Sequence, residues 1–196
     1  MPRYGDLLEI RTIPDLEETA RDCTDCTLAY DGRSKVVFGV GPINAQVMLV
    51  GEGPGDNEDR TGIPFTGPAG VLLNSQLEET GFTREDLYIT NIVKCRPSGN
   101  RTPTEQEIFV CKAWLARQIE IINPRIIVAI GNPAVNTFFP NVKSGITKFH
   151  GQIWTTAAGR KVMPLIHPAA ALRNEEWLQP ILDDLHALKR WLDEQV

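Results

Sequence analysis

The chain has 196 residues, 42% of them apolar and 23% charged, a composition that suits one globular domain over 1–196 with a full core. Its net charge of −5 argues against a nonspecific nucleic-acid binder, and no apolar run approaches the roughly 20 residues of a membrane span. The start, MPRYGDLLEIRTIPDLEETARDC, is charged and lacks an apolar signal region, so a cytoplasmic protein is expected.

In chain order, residues 14 to 22 suggest a short acidic helix, followed by Cys23-x-x-Cys26. Val36 to Val40 reads as a short strand before a turn at Gly41-Pro42, and Ala45 to Val50 as the first central strand. Residues 51 to 70, GEGPGDNEDRTGIPFTGPAG, form a long strand-to-helix loop. Six glycines and three prolines exclude ordinary helix or strand there, and glycine lets a ligand approach the backbone. The loop is neither a P-loop, which needs GxxxxGK[ST], nor a dinucleotide fingerprint, since Asp56 stands where the last Gly belongs. Its acids Glu52, Asp56, Glu58 and Asp59 suit phosphate poorly.

A helix is expected from 68 to 80, and a strand over Leu87 to Val93. Residues 94 to 103 make a basic loop with Lys94, Arg96 and Arg101. Thr104 opens a helix with Glu107 as capping-box partner, ending near Ile122 before Asn123-Pro124. Arg125 to Ile130 reads as a buried strand, and a helix should begin near Pro133. Residues 140 to 160 are rich in turn formers. Val162 to Ile166 forms a fourth strand whose Pro164 suggests a sheet edge. The last helical stretch spans 175 to 193, with Pro180 breaking it or marking its start. Strands alternating with helices predict an α/β protein: a three-layer α/β/α sandwich on a central four-stranded parallel sheet.

Two constellations stand out. Cys23, Cys26, Cys95 and Cys111 in a cytosolic chain favour metal over disulfide, and their spacing fits either tetrahedral zinc or an iron–sulfur cluster. Glu52, Asn91 and His167 each lie at the end of an expected strand. The carboxyl ends of parallel strands share one edge, so the three can converge on a pocket.

The strings GEGPGDNEDRTGIPFTGPAG (51–70), ITNIVKCRP (89–97), GNRTPT (99–104) and LIHPAAALR (165–173), with the four cysteines, resemble the family-four uracil-DNA glycosylases, the iron–sulfur type. Thr66 and Ala169 stand where Val and Ser are commoner. The resemblance implies a DNA repair hydrolase that flips uracil from single- or double-stranded DNA and leaves an abasic site. Phe65 would stack on uracil, Asn91 read its edge, and His167 face O2, with Glu52 and Gly53 in the first motif's pocket. Glu52 is the preferred water-orienting group because Gly53 stands where other branches carry Asp; Asp56 and Asp59 are reserves. The cysteines would hold a structural 4Fe–4S cluster. Arg96, Arg101 and Arg173, with Lys94, would meet phosphate, and Leu172 would fill the gap left by the flipped base. A monomer, nucleoid-associated when acting on DNA, is the default. The alternative is a binder that crosslinks to its product, as in a relative with a nucleophilic His in an inserted loop; residues 95 to 103 contain no His.

Overall fold

The computed structural model describes residues 4–142 and 145–194; positions 143 and 144, inside the expected turn-rich stretch, lie outside the described residues. The elements are α1 (Tyr4–Leu8), α2 (Ile13–Arg21), β1 (Val47–Gly51), α3 (Asp56–Thr61), α4 (Pro68–Glu79), β2 (Leu87–Asn91), α5 (Glu105–Ile122), β3 (Ile126–Ile130), α6 (Asn132–Phe138), β4 (Trp154–Thr155), β5 (Lys161–Leu165), α7 (Pro168–Arg173) and α8 (Leu178–Asp193). The sheet order is β2-β1-β3-β5-β4. The first four strands are parallel, as expected, and β1, β2 and β3 are buried throughout because helices cover the sheet. α1 and α2 pack on α5, while α4 packs on α7 and α8.

A fifth strand is added to the expected four. The two-residue β4 pairs antiparallel with β5 at Lys161 and Val162 only, and its exposed residues carry no buried run that would announce it. Pro164 lies two residues beyond that pairing, where its missing N–H breaks no ladder bond on that side. The expected strand over Val36 to Val40 is a single antiparallel bridge, Val40 to Ile89. Gly39 and Gly41 both take positive φ, which interrupts extended pairing there. Pro180 neither breaks nor kinks α8: it occupies the first turn, where a backbone N–H has no helical partner. Ile181, Leu185 and Leu188, spaced along one face, are buried.

Two local devices position the site. The period of two along β2 points Tyr88 and Thr90 toward α5, where Gln118 Nε2 donates to Tyr88 Oη at 3.0 Å. Asn91 therefore belongs to the opposite set, at the strand's carboxyl end. The chain runs from β1 to β2 on one side, then crosses to β3 on the other. The carboxyl edge beside β1 is therefore a topological switch point, where ligands of open α/β sheets bind.

Candidate functional site

The loops after β1, β2, β3 and β5 enclose an open cleft of about 710 Å³ at this edge. Glu52 and Gly53 enter it from β1, Asn91 from β2, Gly131 from β3 and His167 from β5; Phe65 closes it. Sequence reasoning named five of these six positions. Gly131 was missed, yet it sits against the His167 ring with φ of +85°, so a side chain there would be strained.

Asn91 is 2% exposed, and among the described residues its side-chain amide has no protein hydrogen bond. An amide that has no protein partner and opens on a cleft can offer both its donor and its acceptor to a ligand. Gly51 sets its position: a Cβ there would collide with both Asn91 Oδ1 and the Phe65 ring. The amide and the aromatic ring thus converge over one glycine. Phe65 is 6% exposed and takes φ of +54°, an outlier for an aromatic residue. Gly70 leaves room for its carbonyl, since a Cβ at Gly70 would clash with Phe65 O.

His167 faces Phe65 with ring centroids 6.0 Å apart and planes 26° from parallel. Its Nδ1 accepts the Ala169 N–H at 3.1 Å, capping α7. That leaves the proton of the neutral ring on Nε2. Burial first, then Arg173, pushes His167 down to about 4, with Glu58 opposing; at neutral pH the imidazole is uncharged and donates from Nε2.

Glu52 is half-buried in the cleft, and burial raises its carboxyl above the ordinary range, offset in part by the Thr102 side chain. The two reserve carboxylates fare differently. Asp59 is 2% exposed and accepts from the Ser34 and Lys35 backbone N–H groups, so it ties down residues 34–35 and cannot serve the cleft. Asp56 lines the cleft but pairs with Arg60 at 3.1 Å and Arg96 at 2.8 Å.

The basic loop is largely neutralised by its own neighbours. Lys94 does not reach solvent: it is 2% exposed, and its Nζ donates to Thr90 Oγ1 (2.6 Å), Asn91 O (2.7 Å) and Gln118 Oε1 (2.6 Å). Its expected phosphate contact is corrected accordingly. Charge alone marked it basic, whereas two acceptors on the strand it follows and one on α5 draw it inward. Arg96 is bonded to Asp56 and Asn100. Arg101 lines the cleft, but its guanidinium holds both Glu107 oxygens, at 2.8 and 2.9 Å, and Asp31 at 3.1 Å. Glu107 also accepts from Thr104 N, as the capping box requires, and from Thr27 Oγ1. Arg173 lines the cleft and is exposed, and the adjacent Leu172 is 53% exposed and so is not core.

All four cysteines line one small enclosed cavity beneath the basic loop. Among the described residues no three His, Cys, Asp or Glu side chains converge closely enough to hold one metal ion. Four thiols around one cavity form a donor set of the kind that binds a thiophilic metal centre. Donors already address the sulfurs: Arg33 Nη1 lies 2.9 Å from Cys95 Sγ, and Lys94 N lies 3.3 Å from Cys111 Sγ. Burial pushes Cys95 up to about 11 and Cys111 up to about 12, and raises Cys23 and Cys26. Bare thiols here stay protonated at neutral pH, and a bound cationic centre is what would make them thiolates.

An aromatic face, an unpartnered amide and a neutral imidazole donor around one cleft make a site for a planar, hydrogen-bonding heterocycle. The model of the Uracil DNA glycosylase superfamily matches residues 38–188, and the chain belongs to that superfamily. The type-4 uracil-DNA glycosylase of Thermotoga maritima is 43% identical over 192 residues, 97% of each chain. That of Sulfurisphaera tokodaii is 41% identical over 180 residues, 88% of this chain and 81% of its own. A type-5 uracil-DNA glycosylase of Pyrobaculum aerophilum is 34% identical over 145 residues, 66% of this chain and 63% of its own.

Proposed function

We propose that this protein removes uracil from DNA by hydrolysing its N-glycosidic bond, leaving an abasic site without cutting the strand. The observation that carries this is the cleft itself, where Phe65, the unpartnered Asn91 amide and the Nε2 side of His167 face one space. The relatives named for this activity support it.

The glycosidic bond is out of reach inside a duplex, so the base must leave the stack. Phe65 offers a ring face to the extruded base, a stack worth about 1–3 kcal/mol. The Asn91 amide donates to uracil O4 and accepts from N3–H. Cytosine has the opposite polarity at both positions and leaves both amide groups mismatched. As the bond to C1′ breaks, negative charge gathers on the departing uracil, and His167 Nε2–H donates to O2 in a sheltered site. Water supplies the hydroxyl that closes on C1′, and its proton ends on solvent or uracil. Glu52, half-buried beside that space, orients the water or stabilises the cationic sugar. Leu172, exposed at the rim, fills the vacated stack, and Arg173 meets phosphate. Gly53 needs to stay small: a Cβ there would press on Val93.

Cys23, Cys26, Cys95 and Cys111 would hold a 4Fe–4S cluster, which supplies a metal–thiolate crosslink rather than a reacting centre. Its ligands come from the segment after α2, the basic loop and α5, so it fastens the DNA-facing loop to the body. No described helix is long and apolar enough to cross a membrane, and the protein is proposed to act on DNA as a monomer.

Incubation with a uracil-containing oligonucleotide, single- or double-stranded, tests this. Free uracil should accumulate beyond one equivalent per protein, with alkali-labile abasic DNA in equal amount. Absence of free uracil, or product that stays attached to protein in a denaturing gel, overturns it. The second outcome would point to the crosslinking alternative.

A further inference from the structure

The catalytic cleft depends on one backbone conformation that the chain does not favour. Phe65 sits at φ +54°, where an aromatic residue is strained. A strained residue persists only where its surroundings over-determine it. The two sides of Phe65 are gripped by opposite charges. Arg84, just after α4 and outside every motif that faces the cleft, donates from Nη1 to Phe65 O at 3.3 Å and from Nη2 to Pro64 O. Asn74 Oδ1 accepts from the same Nη1 at 3.1 Å and holds the guanidinium against α4. On the following side, Glu58 Oε1 accepts from Thr66 N at 2.9 Å and Gly67 N at 2.7 Å. Its other oxygen accepts from Gly55 N at 3.1 Å. Glu58 is 9% exposed. Burial disfavours the Arg84 cation, and the Glu85 and Glu58 charges offset that.

We propose that Arg84 and Glu58 are positioning residues that hold Phe65 in its left-handed conformation, the cation on the two carbonyls and the anion on the two N–H groups, so that its ring faces the extruded base. The assignment rests on the reading of Phe65 as the stacking residue. Neither residue reaches the reacting atoms; both act through the Phe65 peptide. A guanidinium is the group suited to bridging two carbonyls and a side-chain oxygen, because its donors are fixed in a plane. An ammonium at position 84 keeps the charge and loses the fork.

A double-mutant cycle separates positioning from general stability. Arg84→Ala, Phe65→Ala and the double variant are compared with wild type for uracil release, with thermal unfolding of each recorded. If Arg84 acts through Phe65, Arg84→Ala alone lowers kcat/KM roughly tenfold, mostly through KM, since a stack holds base before and during bond breaking. In the Phe65→Ala background the same change costs less than about threefold. Arg84→Lys gives an intermediate loss. Equal losses in both backgrounds overturn the proposal and leave the glycosidic activity intact. Should Arg84→Ala not fold, Arg84→Lys and Arg84→Gln run the same cycle.

A second measurement does not use activity. Amide exchange at Thr66 and Gly67 should be slow in wild type and fast in Arg84→Lys and Glu58→Gln, with sheet amides unchanged. Unchanged protection at those two amides rejects the clamp whether or not the protein proves to release uracil. Loss of protection with no uracil release in wild type keeps the clamp and rejects the glycosidic function.

Discussion

Replacing Asn91 by Asp changes one amide nitrogen to oxygen in a residue that is 2% exposed and whose Oδ1, like the Phe65 ring, lies against Gly51. An ionised carboxylate only accepts, so it keeps N3–H and sets an anion against uracil O4. Burial disfavours the anion, so the carboxylate form, and with it the loss of uracil release, should grow as pH rises. The lost hydrogen bond costs about 1–3 kcal/mol and the repulsion adds a similar amount; together about 4 kcal/mol corresponds to about a thousandfold in rate. Toward cytosine the carboxylate can accept from the N4 amino group, yet N3 finds a donor only when the acid is protonated. Cytosine release by Asn91→Asp should therefore be weak and should rise as pH falls. The assay is base release from matched uracil and cytosine oligonucleotides across pH, with folding checked first. A folded Asn91→Asp protein that releases uracil within about fivefold of wild type would remove Asn91 from base reading.

His167→Ala should lower kcat by about a hundredfold to a thousandfold with little change in KM. Because burial holds His167 near 4, the wild-type kcat profile should show no step near the ordinary histidine value of about 6.5; such a step would contradict a neutral donor. Purified protein should be brown with iron and acid-labile sulfide in equal amounts, and chelation or Cys→Ala at any of the four should lower the melting temperature; stoichiometric zinc in colourless protein would contradict the cluster. DNA affinity should depend only shallowly on salt, since Lys94 is buried and Arg96 and Arg101 face carboxylates, and Arg173→Ala should reduce the slope by about one. A steep slope unchanged by Arg173→Ala would mean that other cations meet phosphate. Arg101→Ala should act first on stability. Arg101 holds Glu107 down to about 2, so this pair stabilises the fold above the ordinary carboxylate value of about 4.5, and the contribution is lost as pH falls toward 2. Without Arg101, acid unfolding should begin at higher pH; an unchanged acid midpoint would deny the pair that role.

Much of the fold was legible because the strands carry it openly. The runs at 47–51 and 126–130 are apolar on both faces, as parallel strands between helices must be, and 87–91 is buried throughout with its polar Thr90 and Asn91 at the carboxyl end. Thr104 and Glu107 announced α5 through cap chemistry alone. Asn91 and His167 could be placed at the cleft because strand ends share an edge. What stayed hidden depended on partners distant in sequence. α3 lies inside the Gly/Pro loop, where its acids read as a site feature; Glu58 and Asp59 turn out to hold backbone N–H groups of the surrounding loops. Lys94 looked like a phosphate contact because its acceptors lie partly on α5, 24 residues away at Gln118. Arg84 gave no signal, since an exposed-looking Arg-Glu-Asp turn does not reveal that it grips Pro64 and Phe65.

The claim that this cleft reads and releases uracil is tested most directly by a crystal structure of the protein with free uracil and abasic DNA. The account predicts uracil stacked on Phe65, the Asn91 amide within hydrogen-bond distance of O4 and N3, and His167 Nε2 on O2, with Leu172 at the vacated step. Uracil bound elsewhere, or bound in the cleft with Asn91 and His167 out of contact, would contradict it.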